Sequence, residues 1–123
     1  MRSLLPLLLL VSSCSAPAPA DAAGGPFEVE SEGGLCIADI DFAAGEVRRG
    51  ENRFLVSLTH DEAEITSASG LMVAHGHGSE GTIVPGDPIE VSIDLFMVGR
   101  WDLSFELAID EVSDRLEFSI DVP

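Results

Sequence analysis

The sequence predicts an all-β protein, an immunoglobulin-like antiparallel sandwich of two sheets with about seven strands. Three observations support this fold class. Apolar and polar residues alternate with a period of two through most of the chain after the N-terminal segment, as in strands with one face on a core. Clusters of Gly, Pro, Asp and Asn separate the alternating runs. Beyond the N-terminal segment, no long window has the apolar spacing of a helix.

The predicted strands follow one another with short connections. In the clearest run, RWDLSFEL, the residues Trp101, Leu103, Phe105 and Leu107 share one face, which places the tryptophan in the core. The other alternating runs are Cys36–Phe42, Phe54–Leu58, Ile89–Leu95 and Leu116–Val122. Because the cysteine pair of antibody domains is absent, a small barrel is the alternative architecture.

The N-terminal segment resembles a bacterial lipoprotein signal. Arg2 supplies a positive charge, and the apolar run Leu4–Val11 is too short to span a bilayer, which requires about 20 apolar residues. Small residues then lead into Cys14, as in a lipobox. The resemblance implies that residues 1–14 contain the signal and that Cys14 is lipidated as the first mature residue. The alternative is a secretory signal cleaved elsewhere, for example after Ala20.

The rest of the chain divides into a tether and a domain. Residues 15–26 are rich in Ala, Pro and Gly and predict a flexible tether, whereas residues 27–123 suit one small domain. We expect the lipid on Cys14 to anchor this domain in the cell envelope, facing the periplasm. Since Ser15 and not aspartate follows the cysteine, the lipoprotein resemblance implies the outer membrane if the cell has one.

The composition excludes several classes of partner. The chain has 22 acidic residues against six arginines and no lysine, a net charge of −16. Nucleic acid and anionic lipid head groups are therefore poor partners for its surface.

With Cys14 lipidated, Cys36 has no second cysteine with which to form an internal disulfide. Its alternation with Ala38 and Ile40 favours a buried, unreactive thiol over a thiolate ligand.

The stretch AHGHGSEG, residues 74–81, contains a literal G-x-G-x-x-G pattern. A dinucleotide fingerprint must open a helix after a strand, because the helix N-terminus holds the pyrophosphate. Here two prolines and a further strand pattern follow, so no helix can begin. A serine-hydrolase elbow also fails, since G-x-S-x-G needs glycine where His77 stands.

The same stretch contains a candidate copper site. On an extended chain, His75 and His77 would project to the same side and share one ion. Imidazole binds copper, and thioether sulfur selects its cuprous form. Met72 lies three residues before His75, and Met97 lies in the later turn LFMVGRW. These four residues form the predicted site; the alternative is that the methionines fill the core and the histidines cap a surface turn.

Three segments, GENRFLVSL, LMVAHGHGS and FMVGRWDLSFEL, together resemble the YtkA-like domain family, which is related to the periplasmic part of FixH. The residues that match the family pattern are Gly50, Asn52, Phe54, Val56 and Leu58, then Met72, His75 and His77, then Phe96, Met97, Gly99 and Trp101. The resemblance covers roughly residue 50 to the end. It implies an immunoglobulin-like sandwich outside a bacterial membrane, with a connection to copper handling or oxidase assembly. Valine follows both Met72 and Met97, where the family often has proline.

No enzyme active site is expected. His60 lies in the polar loop THDEAE and is predicted to be a surface residue, and the paired acids are adjacent in sequence and do not face each other across a cleft. Two functions therefore stay open. The first is a lipoprotein that captures copper and delivers it to an envelope protein in copper handling. The second is a metal-free interaction module of the envelope that docks through an edge strand or loop.

Overall fold

The computed structural model describes residues 25–123, so Cys14 and nearly all of the predicted tether lie outside the described residues. The described chain forms nine strands, and a 3₁₀ helix of three residues joins the fourth strand to the fifth. The strands are β1 (Phe27–Glu30), β2 (Ile37–Phe42), β3 (Gly50–Leu58), β4 (Ala63–Met72), β5 (His77–Glu80), β6 (Thr82–Val84), β7 (Ile89–Leu95), β8 (Gly99–Ile109) and β9 (Val112–Val122). No helix of this part of the chain has the length and hydrophobicity to cross a membrane.

The strands form two antiparallel sheets, as the alternation predicted. The first sheet has the order β1-β2-β3-β7-β6 and the second has the order β5-β4-β8-β9. The all-β sandwich prediction is therefore confirmed. The five alternating runs named above all form strands. Within the described residues the count is nine and not about seven. Three of the strands (β1, β5 and β6) have only three or four residues, too few for alternation to reveal them.

The core lies between the sheets and consists of the inward residues of each alternating run. Trp101 is fully buried, as predicted, and so is the thiol-bearing Cys36 at 2% exposure. Phe54 of the first sheet packs edge-on against Phe105 and Phe118 of the second, with ring centroids 5.9 and 6.2 Å apart. Such edge-to-face pairs add about 0.5–1.5 kcal/mol each to the burial of their apolar area. This cluster therefore joins the two sheets near their centre.

The two sheets are linked on one side by a single residue, Gly81, between β5 and β6. Its N–H donates a hydrogen bond of 2.8 Å to the carbonyl of Ala68. A Cβ atom at this position would lie 2.7 Å from Cγ1 of Ile93 and 2.9 Å from the carbonyl oxygen of Ser92. Only glycine fits where the chain passes this close to the backbone of the neighbouring strand.

A buried carboxylate, Asp114, ties β9 to the connection between β1 and β2. Its Oδ1 atom accepts hydrogen bonds from the N–H of Gly33 at 2.7 Å and of Arg115 at 2.8 Å. Burial raises the pKa of Asp114, but hydrogen bonds from the Ser31 hydroxyl and these N–H groups outweigh it and hold the pKa below its ordinary value. The two N–H groups donate to Oδ1. The other carboxylate oxygen, Oδ2, is buried and accepts no hydrogen bond of standard geometry within residues 25–123.

We expect Asp114→Asn to lower the free energy of unfolding by about 1.5–3 kcal/mol at neutral pH, because charge-assisted hydrogen bonds weaken. A carboxylate with a depressed pKa stabilises the fold above its unfolded pKa, near 3.8, and this contribution disappears as the pH falls through the folded value. The difference between variant and parent should therefore be constant above about pH 5 and shrink below about pH 4. Urea unfolding at several pH values measures it, with Asp121→Asn, exposed on the same strand, as the control. A difference that persists undiminished at low pH would contradict this account.

Candidate metal centre

The candidate site lies at one end of the sandwich, which we call the histidine pole. There β4 leads through the 3₁₀ helix Val73–His75 into β5, and residues 96–98 connect β7 to β8. The pairing of Leu71 with Asp102 brings the end of β4 beside the start of β8. Two segments that are distant in sequence therefore meet at this pole, as the copper-site prediction required.

The two histidines lie beside each other on the surface. His75 ends the 3₁₀ helix, Gly76 takes a left-handed conformation (φ 67°, ψ 21°), and His77 begins β5. The prediction that both lie on an extended chain is therefore wrong, because the glycine turns the backbone between them. The rings are nevertheless 6.3 Å apart between centroids and inclined by 22°. Both side chains are exposed.

This separation is close to what a shared ion requires. Since a metal–nitrogen bond is about 2.0 Å long, two imidazoles on one ion have their ring centroids about 6 Å apart or less. The observed 6.3 Å is slightly longer than this limit. Both side chains are exposed, and a shared ion would require the two rings to turn toward each other.

The connection between β7 and β8 packs against this turn through Phe96. The Phe96 ring lies 5.8 Å from that of His77 and 5.3 Å from that of Trp101, edge-on in both cases. Trp101 donates a hydrogen bond of 2.9 Å from Nε1 to the carbonyl oxygen of Met97. The buried indole thus fixes the backbone of Met97, whose half-buried side chain packs on the core beside the histidine turn.

Met72 differs from the other three predicted ligands, since its side chain is in the core at 2% exposure. It continues the inward alternation of Ala68 and Gly70 along β4. A Cβ atom on Gly99 would lie 2.7 Å from the Met72 methyl group, so the thioether ends directly beneath the start of β8. Of the four predicted ligands, the two histidines are therefore exposed, Met97 is half-buried and Met72 is buried. Met72 stays a predicted ligand that would approach an ion from the core side.

Oxygen and thiolate ligands do not complete this site. Within residues 25–123, no group of three or more His, Cys, Asp or Glu side chains is placed to hold a metal ion. If the two imidazoles share an ion, a third protein ligand from these residues would have to be a thioether sulfur. Imidazole with thioether is a donor set for copper and in particular for its cuprous form, whereas calcium and magnesium require oxygen ligands.

The other histidine and the free cysteine lie at the opposite pole, where β3 passes to β4. His60 is half-buried and accepts a hydrogen bond of 3.1 Å at Nδ1 from the N–H of Glu62. Cys36 is buried, with its Sγ atom 3.8 Å from Oγ1 of Thr59. Both residues are separated from the pair at the histidine pole by the length of the sandwich, so neither joins it.

Comparisons of the chain with protein-family models, with curated proteins and with solved structures find no match. The resemblance to the YtkA-like family therefore stays a prediction. Sequence reasoning included Phe96 only as part of that resemblance and missed its contact with His77. The signal was its position one residue after the inward Leu95, which turns Phe96 outward at the end of β7.

Proposed function

We propose that this protein is a lipid-anchored lipoprotein of the cell envelope that captures copper at the histidine pole and delivers it to an envelope partner. The observation that carries the proposal is the pair of exposed imidazoles, His75 and His77, 6.3 Å apart beside the connection that contains Met97. The predicted anchor on Cys14 would keep the domain at the membrane.

The proposed mechanism is exchange of ligands without chemistry at the protein. The glycines on both sides of His77 leave the turn free of bulky side chains, so a copper ion can reach the imidazole nitrogens from solvent. The thioether of Met97 adds a soft donor that favours cuprous copper. Since the site is open, a partner's ligands can replace these donors one at a time.

Copper titration tests the proposal. We expect the chain from residue 25 onward to bind one cuprous ion. His75→Ala/His77→Ala should lower the affinity by more than the roughly 10–100-fold that follows removal of an outer-shell partner of a metal ligand. His60→Ala, at the opposite pole, is the matched control and should bind like the parent. Competition with a coloured cuprous chelator under anaerobic conditions measures the affinity.

Two methionine variants then identify the thioether ligand. Met97→Leu should weaken cuprous binding more than cupric binding, because only the soft ion gains from sulfur. Met72→Leu is a nearly volume-conserving change in the core and separates the buried methionine from the half-buried one. Binding that is unchanged in the double histidine variant would remove the proposed site. Absence of stoichiometric binding of either ion would favour the metal-free interaction module.

A further inference from the structure

The histidine pole also carries a cluster of exposed apolar side chains. Of the eight large hydrophobic residues that are exposed within residues 25–123, four lie here: Leu71, Val73, Phe96 and Val98. Val73 and Val98 are 65% and 54% exposed. The other four (Leu35, Ile37, Val84 and Val112) are spread over separate elements toward the opposite pole. Exposed apolar side chains gathered in one place are typical of interaction sites, whereas single ones are ordinary.

These residues and the two histidines form one surface, which we call the uncharged tip: Leu71, Val73, His75, His77, Phe96 and Val98. Its parts are in contact, since the Phe96 ring packs on His77 and Leu71 pairs with Gly78 beside it. No Asp, Glu, Arg or Lys occurs in residues 65–79 or 95–99, although the chain has 22 acidic residues. Contact at this tip therefore removes no charged side chain from water, which is the costly part of forming an interface.

The charge of the molecule determines what can approach the tip. Exposed carboxylates of Glu51, Asp94 and Asp102 border it, and Arg100 is paired with Asp102 at 3.3 Å. Arg48 and Arg49 are exposed at the same pole, because β3 begins beside the end of β7, so the preference for positive charge rests on the net charge of −16 of the whole molecule. A second copy of the chain and an anionic bilayer are both repelled by this field, whereas a positively charged protein surface is steered toward it.

We propose that the uncharged tip is a docking surface for a partner protein that presents an apolar patch bordered by Lys or Arg. The inference rests on the proposed function in one respect: docking there places the partner's ligands next to His75 and His77. It does not require copper to be bound. Apolar contact at the tip supplies the affinity, and the net negative charge of the molecule selects the sign of the partner's charge.

The test uses metal-free protein, residues 15–123, which contain every strand of the sandwich, with a chelator present. The probe is a synthetic amphipathic Leu–Lys peptide, and amide chemical shifts report where it binds. We expect the largest changes at residues 71–78 and 96–99. Val73→Ser/Val98→Ser should weaken binding about tenfold or more, since apolar area is lost without added charge. The matched control Val84→Ser/Val112→Ser, equally exposed elsewhere, should bind like the parent.

Each other outcome overturns the proposal. Shift changes spread along the acidic strand faces, or equal weakening by both double variants, would show charge attraction without a docking surface. Equal binding of a Leu–Glu peptide would remove the selectivity for positive charge. Changes at the tip that grow with protein concentration alone would assign the surface to a second copy, and binding to anionic vesicles would assign it to lipid. Because copper is absent throughout, failure here leaves the copper titration unaffected, and the reverse also holds.

Discussion

Trp101→Ala should lower the free energy of unfolding by about 3–5 kcal/mol, a large part of the stability of a domain of this size. The indole is fully buried at the start of β8 and contacts Phe96 edge-on. Removing it leaves a cavity between the sheets that neighbouring strands cannot close without breaking their pairing. Urea unfolding followed by far-UV circular dichroism measures the change, since the variant has no tryptophan to report fluorescence.

A second variant separates the size of the side chain from its hydrogen bond. Trp101→Phe keeps most of the apolar contact but loses the bond from Nε1 to the Met97 carbonyl. We expect it to retain the fold and to weaken cuprous binding, because the backbone of Met97 is no longer fixed. Val84→Ala, exposed on β6, is the control for stability. A cost of less than about 1 kcal/mol for Trp101→Ala would contradict the buried position of the indole.

Gly81→Ala should lower the free energy of unfolding by about 2–3 kcal/mol, a large effect for the addition of one methyl group. The new Cβ would lie 2.7 Å from Ile93 and 2.9 Å from the Ser92 carbonyl oxygen. Neither neighbour can move easily, because Ile93 is buried in the core and the Ser92 oxygen belongs to the backbone of β7. The strain therefore reaches the pairing of β6 with β7.

The matched control for this substitution lies in the same segment. At Gly78, a Cβ would meet nothing closer than the Gly70 carbonyl oxygen at 3.7 Å, an ordinary contact. Gly78→Ala should therefore change stability by less than about 1 kcal/mol. Thermal unfolding of both variants makes the comparison. Equal effects of the two substitutions would mean that loss of glycine flexibility, and not the close approach at Gly81, determines the cost.

Five strands could be predicted because their alternation repeats, whereas β4, ten residues long, was missed because a bulge between Ile65 and Ser67 interrupts its alternation. In β8 and β9, eleven residues each, the inward and outward residues alternate almost without interruption, and Trp101 and Leu116 fall on the expected face. In β5 and β6, four and three residues give no periodic signal. These strands exist because backbone pairing with longer neighbours stabilises them, which is a tertiary effect that no local pattern records.

The site was predictable only in part, for a related reason. The order of the strands brings the histidine turn next to the connection between β7 and β8, and the sequence motifs indicated that both segments matter. The conformation of the turn did not follow from alternation, because the left-handed Gly76 interrupts the extended chain between His75 and His77. Met72 was predicted as a ligand, and its burial follows from its shared phase with Ala68 and Gly70 along β4, a strand that sequence reasoning did not identify.

The passage of the chain through Gly81 has a consequence for self-assembly. The short, consecutive strands β5 and β6 are the edge strands of the two sheets on that side. Each offers only a few unpaired backbone N–H and C=O groups, too few for a strand of another molecule to pair with and extend the sheet into a fibril. On the far side, the long strand β9 carries Arg115, Glu117 and Asp121 facing outward. The carbonyl oxygen of Arg115 already accepts a hydrogen bond from the N–H of Glu32. A concentrated solution of this protein would therefore resist amyloid growth from these margins.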